Sequence, residues 1–116
     1  NGHYALSASQ LSHIPTAFIC SRDSSAYQLL KILKEKNIRV PEDVSITGFD
    51  DYILSSLCTP KITTYSIDVA KLTDSCIWLL LDRIAQPDRP LRHIVISGKI
   101  MERDSVRTLS TNLEPR

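Results

Sequence analysis

The chain has 116 residues, the size of one domain, and its 42% hydrophobic and 23% charged content is ordinary for a soluble globular protein. Its net charge of +1, with both signs mixed along the sequence, argues against a nucleic-acid surface built on bulk electrostatics. The three cysteines, Cys20, Cys58 and Cys76, form no Cys-x-x-Cys pair, which disfavours a zinc ribbon or dithiol redox site; each sits among apolar neighbours, which favours buried free thiols in a reducing cytoplasm.

In chain order, residues from about Ala5 to His13 read as a short helix ended before Pro15. Thr16 to Cys20 is apolar and partly β-branched, the pattern of a buried strand. A polar loop, Ser21 to Ser25, precedes Ala26, Leu29, Leu30 and Leu33, which form one stripe of an amphipathic helix. Lys34 and Lys36 suit the negative end of that helix, and Asn37 suits the position just beyond it. Val44 to Thr47 alternates as a second strand, so the order strand–helix–strand predicts a βαβ unit with parallel strands. Ile62 to Ile67 is a third strand candidate, and Asp68 is placed to cap a helix running to about Ala85. Apolar residues cover most of that helix's circumference, which calls for burial on several sides. After a polar turn over Gln86 to Pro90, strands are expected near His93–Ile96 and Ile100–Glu102, with Ser97 to Lys99 turning between them, and then a polar tail from Thr108. The longest apolar run, Cys76 to Leu81, is far below the roughly 20 residues of a membrane helix. Nor is a signal peptide evident in the first residues.

Val40 to Asp51 (Val-Pro-Glu-Asp-Val-Ser-Ile-Thr-Gly-Phe-Asp-Asp) carries the strongest functional signal. Pro41 brings the chain in extended, Gly48 permits a sharp change of direction, and Asp50 and Asp51 follow the strand's carboxyl end. Ligands of open α/β sheets bind at that edge, and a carboxylate there can accept several hydrogen bonds from a polyol. If the first two strands are parallel, the Ser21–Ser25 loop faces the same crevice. The pattern reads as a binding site. No nucleophile motif, phosphate loop or set of metal ligands with suitable spacing accompanies the two acids, so no enzyme, cofactor or metal is expected.

Ile14 to Asp23 (Ile-Pro-Thr-Ala-Phe-Ile-Cys-Ser-Arg-Asp), Val40 to Asp51, Ile62-Thr63-Thr64 and Arg103-Asp104-Ser105 resemble, in order and spacing, the LacI/GalR family of transcriptional regulators. The resemblance implies an α/β fold, a parallel-sheet βαβ fragment of a two-lobed periplasmic-binding-protein-like fold. It covers the last part of the effector-binding core. Residues 1–66 then correspond to part of the second lobe, 67–98 to a crossover segment resembling part of the first lobe, and 99–116 to a return strand and polar tail. By the same resemblance, Asp50 matches the carboxylate that binds effector hydroxyls. Arg22 stands where the family usually has an effector-contacting Asn, and Asp23 matches a helix-capping aspartate. Val69 stands where some members place an effector-stacking aromatic. Tyr27, Ile53 and Cys58 fall on surfaces used for homodimerisation.

The implied function is allosteric: a small molecule, a sugar or an anionic sugar derivative, controls DNA binding by a helix-turn-helix headpiece that is not among these residues. Arg is a fixed cation with donors only, so Arg22 points either to a carboxylate or phosphate on the effector or to an ion pair with Asp50 or Asp23. Asp50 has a second reading as a loop carboxylate capping the Ile53 segment, and Tyr27 a second reading as partial core packing. Asp51 reads as structural. The rival function is a periplasmic-type sugar-binding protein of the same fold, and an enzyme ranks below it.

Overall fold

The computed structural model describes residues 14–108. The helix expected over residues 5–13 and the tail after Thr108 lie outside them. Strand β1 (Ala17–Ile19), helix α1 (Asp23–Glu35) and strand β2 (Ser45–Thr47) form the expected βαβ unit. The two strands are parallel, with Phe18 opposite Ile46. Helix α1 buries Ala26, Leu29, Leu30 and Leu33, the stripe the spacing marks out, against Val40, Val44, Ile46 and Ile62. That cluster is the hydrophobic core, and burying each large aliphatic side chain in it contributes roughly 1.5–3 kcal/mol.

The end of α1 follows from its residues. Asn37 takes a left-handed φ of 59°. This lets Ile38 N donate to Leu33 O (2.9 Å) and Asn37 N to Lys34 O (3.1 Å), the paired bonds of a Schellman cap. Ile38 then packs on the core, as the residue after such a cap often does. Arg39 and Asp43 close the turn into β2 through a 2.7 Å ion pair, which holds the exposed Asp43 carboxyl down at about 2.

Beyond β2 lie the short helix α2 (Leu54–Leu57), strand β3 (Thr64–Ser66), helix α3 (Val69–Ala85) and strand β4 (Lys99–Met101). A parallel bridge from Thr47 to Thr63 sets the entry to β3 beside β2. Strand β4 runs antiparallel to β3, with Tyr65 opposite Ile100. Asp68 caps α3 as expected, accepting from Lys71 N at 2.9 Å.

Four expectations change. Strand β1, expected to be buried, leaves Ala17 and Ile19 exposed, Ile19 at 90%, because β2 is its one neighbour among the described residues. Of the three cysteines expected to be buried, Cys20 and Cys58 are half-buried and Cys76, on the unburied α3, is exposed. No strand forms at His93–Ile96; these residues find no neighbouring strand among the described residues, so Ser97–Lys99 is not a hairpin turn. Helix α3, apolar on most sides, buries none of its residues, and Val69, Leu80 and Ile84 are each at least 60% exposed. The described residues supply no layer for it to pack against. No helix among them is long and apolar enough to cross a membrane.

Candidate functional site

The site is built on the loop after β2. Both acids there have left-handed backbone, with φ of 94° at Asp50 and 53° at Asp51. Such conformations cost non-glycine residues of order 1–3 kcal/mol each and persist where surrounding contacts over-determine them. Those contacts come from three directions. Asp50 N donates to Tyr65 O on β3 (3.0 Å). Tyr52 N donates to Asp23 Oδ2 (2.6 Å), and more weakly to Asp50 Oδ1 (3.3 Å). Asp51 Oδ1 accepts from Arg103 Nη2 (2.5 Å). The result presents Asp50 exposed at the carboxyl edge of the parallel strands while Asp51 turns inward.

Asp23 does not cap α1. Arg22 occupies the N-cap position without a side-chain bond to the helix, and Asp23 is the first helical residue. Its carboxylate is fully buried and points across the strands. Oδ1 accepts from Thr64 Oγ1 (2.6 Å) and Oδ2 from Tyr52 N, so one side chain ties α1, the site loop and β3 together. Its backbone N–H adds a 3.0 Å bond to Phe49 O. Gly48 makes room for this carboxylate: a Cβ there would lie 1.9 Å from Asp23 Oδ1. The glycine is needed for close approach rather than for a positive φ.

Arg103 forms the opposite support. Its guanidinium donates to Ser55 Oγ (2.8 Å), Ile62 O (2.9 Å) and Asp51, and its backbone N–H to Thr63 Oγ1 (3.0 Å). The bond from Arg103 holds the Asp51 carboxyl below the usual carboxylate range, against an opposing effect of burial. Ser105 completes the arrangement, accepting from Thr63 N and donating to Ile46 O (2.6 Å). In the sequence Thr64, Arg103 and Ser105 stand out only as parts of the resembling segments, and Tyr52 carries no signal at all.

Arg22 is exposed at the start of α1, beyond β1, on the same sheet edge as Asp50. It takes part in none of the ion pairs among the described residues, which are Arg39–Asp43, Arg89–Asp82 and Arg103–Asp51. The ion pair with Asp50 or Asp23 considered for it does not form. Val69, the first residue of α3, is 63% exposed.

Tyr27 and Cys58 lie together on a different face, lining a shallow groove of about 480 Å³ with Leu30, Lys31 and Lys34. Lys31 Nζ sits 5.4 Å above the Tyr27 ring. Ile53 is 59% exposed at the start of α2. Burial pushes the Cys20 and Cys58 thiols up, away from thiolate chemistry.

Comparison with known proteins gives the family of the chain. A family model described as a periplasmic binding protein-like domain matches residues 2–106. A probable HTH-type transcriptional repressor, ExuR of Bacillus subtilis (strain 168), is 37% identical over 101 residues, covering 87% of this chain and 30% of that protein. The HTH-type transcriptional repressor PurR of Vibrio atlanticus (strain LGP32) is 34% identical over the same shares of both chains. Among solved structures, a LacI-family transcriptional regulator from Enterococcus faecalis V583 with bound ribose has a TM-score of 0.79 at 30% identity, covering 85% of this chain and 37% of that one. These relatives are transcriptional regulators rather than enzymes, and this chain spans about a third of their length. On the matched family model and these likenesses, the chain belongs to the periplasmic binding protein-like family, in the form carried by LacI-family transcriptional regulators.

Proposed function

We propose that this chain is the effector-sensing and dimerisation portion of a cytoplasmic LacI-like regulator, binding a sugar or anionic sugar derivative that controls DNA binding by a helix-turn-helix headpiece. One observation carries the reading: Asp50 is exposed at the carboxyl edge of the parallel strands, in a left-handed backbone that Asp23, Tyr65 and Arg103 hold in place. A carboxylate fixed in that way can accept paired hydroxyls of a polyol without first ordering its own loop. Arg22, on the same edge and in no ion pair among the described residues, supplies a cation beside the N-terminus of α1, which suits an anionic group on the ligand. The bound ribose of the Enterococcus faecalis regulator supports a sugar as the ligand class.

In this reading residues 1–66 belong to one lobe, residues 67–98 cross to the other and residues 99–116 return. The unburied, apolar α3 is consistent with a helix whose packing layer lies in the other lobe. Tyr27, Ile53 and Cys58 contribute to contact with a second copy. Ligand binding between the lobes favours one closure state and so shifts the placement of two headpieces.

The test is titration of the intact protein with paired neutral, carboxylated and phosphorylated sugars, read by calorimetry, with Asp50→Ala alongside. Loss of two charge-assisted hydrogen bonds should weaken the sugar that binds by at least about tenfold. Undiminished binding by Asp50→Ala overturns the assignment of Asp50.

A further inference from the structure

Tyr65 is the central residue of β3, and its backbone, ring and hydroxyl reach three different places. The carbonyl accepts from Asp50 N (3.0 Å). The ring stacks on Phe49, with centroids 5.4 Å apart and planes 16° from parallel. The hydroxyl accepts from Gly98 N (2.8 Å). Gly98 precedes β4 and lies close against the phenol: a Cβ there would come within 2.5 Å of ring atom Cε1 and 2.3 Å of Ser66 O. Only a residue without a side chain lets the two segments approach this closely.

The placement of these contacts gives them a consequence. Strand β3 leads into α3 and β4 leads out of that segment, and the two are paired from Thr64↔Met101 to Ser66↔Lys99. A change in how the α3 segment sits on the β1–β2 unit must be absorbed at or beside this pair. Tyr65 touches both the return segment at Gly98 and the site loop at Phe49 and Asp50. A phenol is rigid and turns about only two torsions, so displacement of its hydroxyl end moves the ring face against Phe49.

We infer that Tyr65 is a positioning residue that couples the two connecting strands, β3 and β4, to the loop presenting Asp50. Movement of the connectors on lobe closure then alters the aim of Asp50, and ligand on Asp50 favours one placement of the connectors. The inference deepens the proposed function and rests on Asp50 being the effector ligand.

Tyr65→Phe separates coupling from packing, because it keeps the stacked ring and removes only the acceptor for Gly98 N. Amide hydrogen exchange and chemical shifts of the ligand-free intact protein are the first readout. Gly98 exchange should rise by roughly threefold to tenfold, the loss of one ordinary hydrogen bond, and the Phe49 and Asp50 amides should shift as well. A Gly98 response with Phe49 and Asp50 unmoved overturns the coupling and leaves a local hydrogen bond. The second readout uses D-ribose and ribose 5-phosphate as probes. A sugar that binds should slow Gly98 exchange in the parent protein and have less effect on it in Tyr65→Phe; an equal effect in both also overturns the coupling. Failure of both probes to bind the parent counts against the ligand class proposed for Asp50, whereas the ligand-free exchange still decides the role of Tyr65.

Discussion

Arg103 holds Asp51 from 52 positions along the chain, Nη2 to Oδ1 at 2.5 Å, and so ties the segment after β4 to the loop after β2. The pair is mostly shielded, with side chains 15% and 23% exposed. The same guanidinium satisfies Ser55 Oγ and Ile62 O, so it supports the base of the site loop on three sides at once.

Arg103→Met should therefore destabilise the intact protein by about 2–3 kcal/mol, because it leaves Asp51 and two further acceptors without their donor, discounted for partial exposure. Asp51→Asn combined with Arg103→Met should cost less than the sum of the single changes, as expected for two groups in contact. The pH dependence has a definite sign. Asp51 titrates below its ordinary carboxylate value in the folded state, so its contribution is present above about pH 4 and is lost as pH falls through the folded value. Urea midpoints of parent and Arg103→Met should differ by a constant amount from pH 5 to 8 and converge at lower pH. A gap that widens with acid contradicts the pairing.

The Asp23 carboxylate provides the second support, and its removal strands a buried donor, Thr64 Oγ1, and a part-buried one, Tyr52 N. Asp23→Ala should cost about 3 kcal/mol, and Asp23→Asn less, since an amide can still accept from Tyr52 N and donate to Thr64. Gly48→Ala should be comparably harmful through its clash with the same carboxylate, by about 2–3 kcal/mol. The double variant Gly48→Ala with Asp23→Ala should recover part of that loss. Strict additivity would show that the clash is not what excludes alanine.

The parts of this architecture that were readable from sequence are those written in local periods and caps. The α1 stripe, the parallel β1–β2 pair and the Asp68 cap each depend on residues within a few positions or on one crossover. The supports of Asp50 were not readable, because their partners lie far apart in sequence. Asp23 looks like a helix cap when only its neighbours are considered. Its partners are 29 and 41 residues away, and a buried carboxylate goes to whichever donors the chain path brings to it. Arg103 stands out in the sequence only by its order in a motif, yet its role depends on a strand pairing that the local pattern does not encode. At His93–Ile96 the opposite error arose: apolar, β-branched residues resemble a strand wherever they fall, but a strand exists only beside a partner.

The left-handed Asn37 gives a direct test of the α1 terminus. With φ at 59°, Asn37→Ala should cost about 1 kcal/mol and the β-branched Asn37→Val up to about 2 kcal/mol, whereas Asn37→Gly should stay within about 0.5 kcal/mol of the parent. Urea midpoints at unchanged slope provide the measurement. If valine is tolerated as well as glycine, the Schellman cap is not what ends α1.

In the proposed function, Arg22 should decide between neutral and anionic ligands. Its guanidinium is exposed, joins no ion pair among the described residues and stands at the N-terminus of a 13-residue helix, on the sheet edge that carries Asp50. A carboxylate or phosphate on the ligand would meet a planar donor fork and the positive end of α1 together. Arg22→Asn removes the fixed cation and adds an acceptor, so the two ligand classes should respond in opposite directions. Affinity for a sugar acid or sugar phosphate should fall about tenfold to a hundredfold, and affinity for the matching neutral sugar should stay the same or rise. Because Arg22 is exposed, the anion preference of the parent protein should also shrink as salt is raised from about 0.05 to 0.5 M, over which the Debye length falls well below its value near 10 Å at 0.1 M. Calorimetric titration of each sugar pair at two salt concentrations measures both effects. An anion preference that survives Arg22→Asn at both salts assigns the recognition of charge to some other residue.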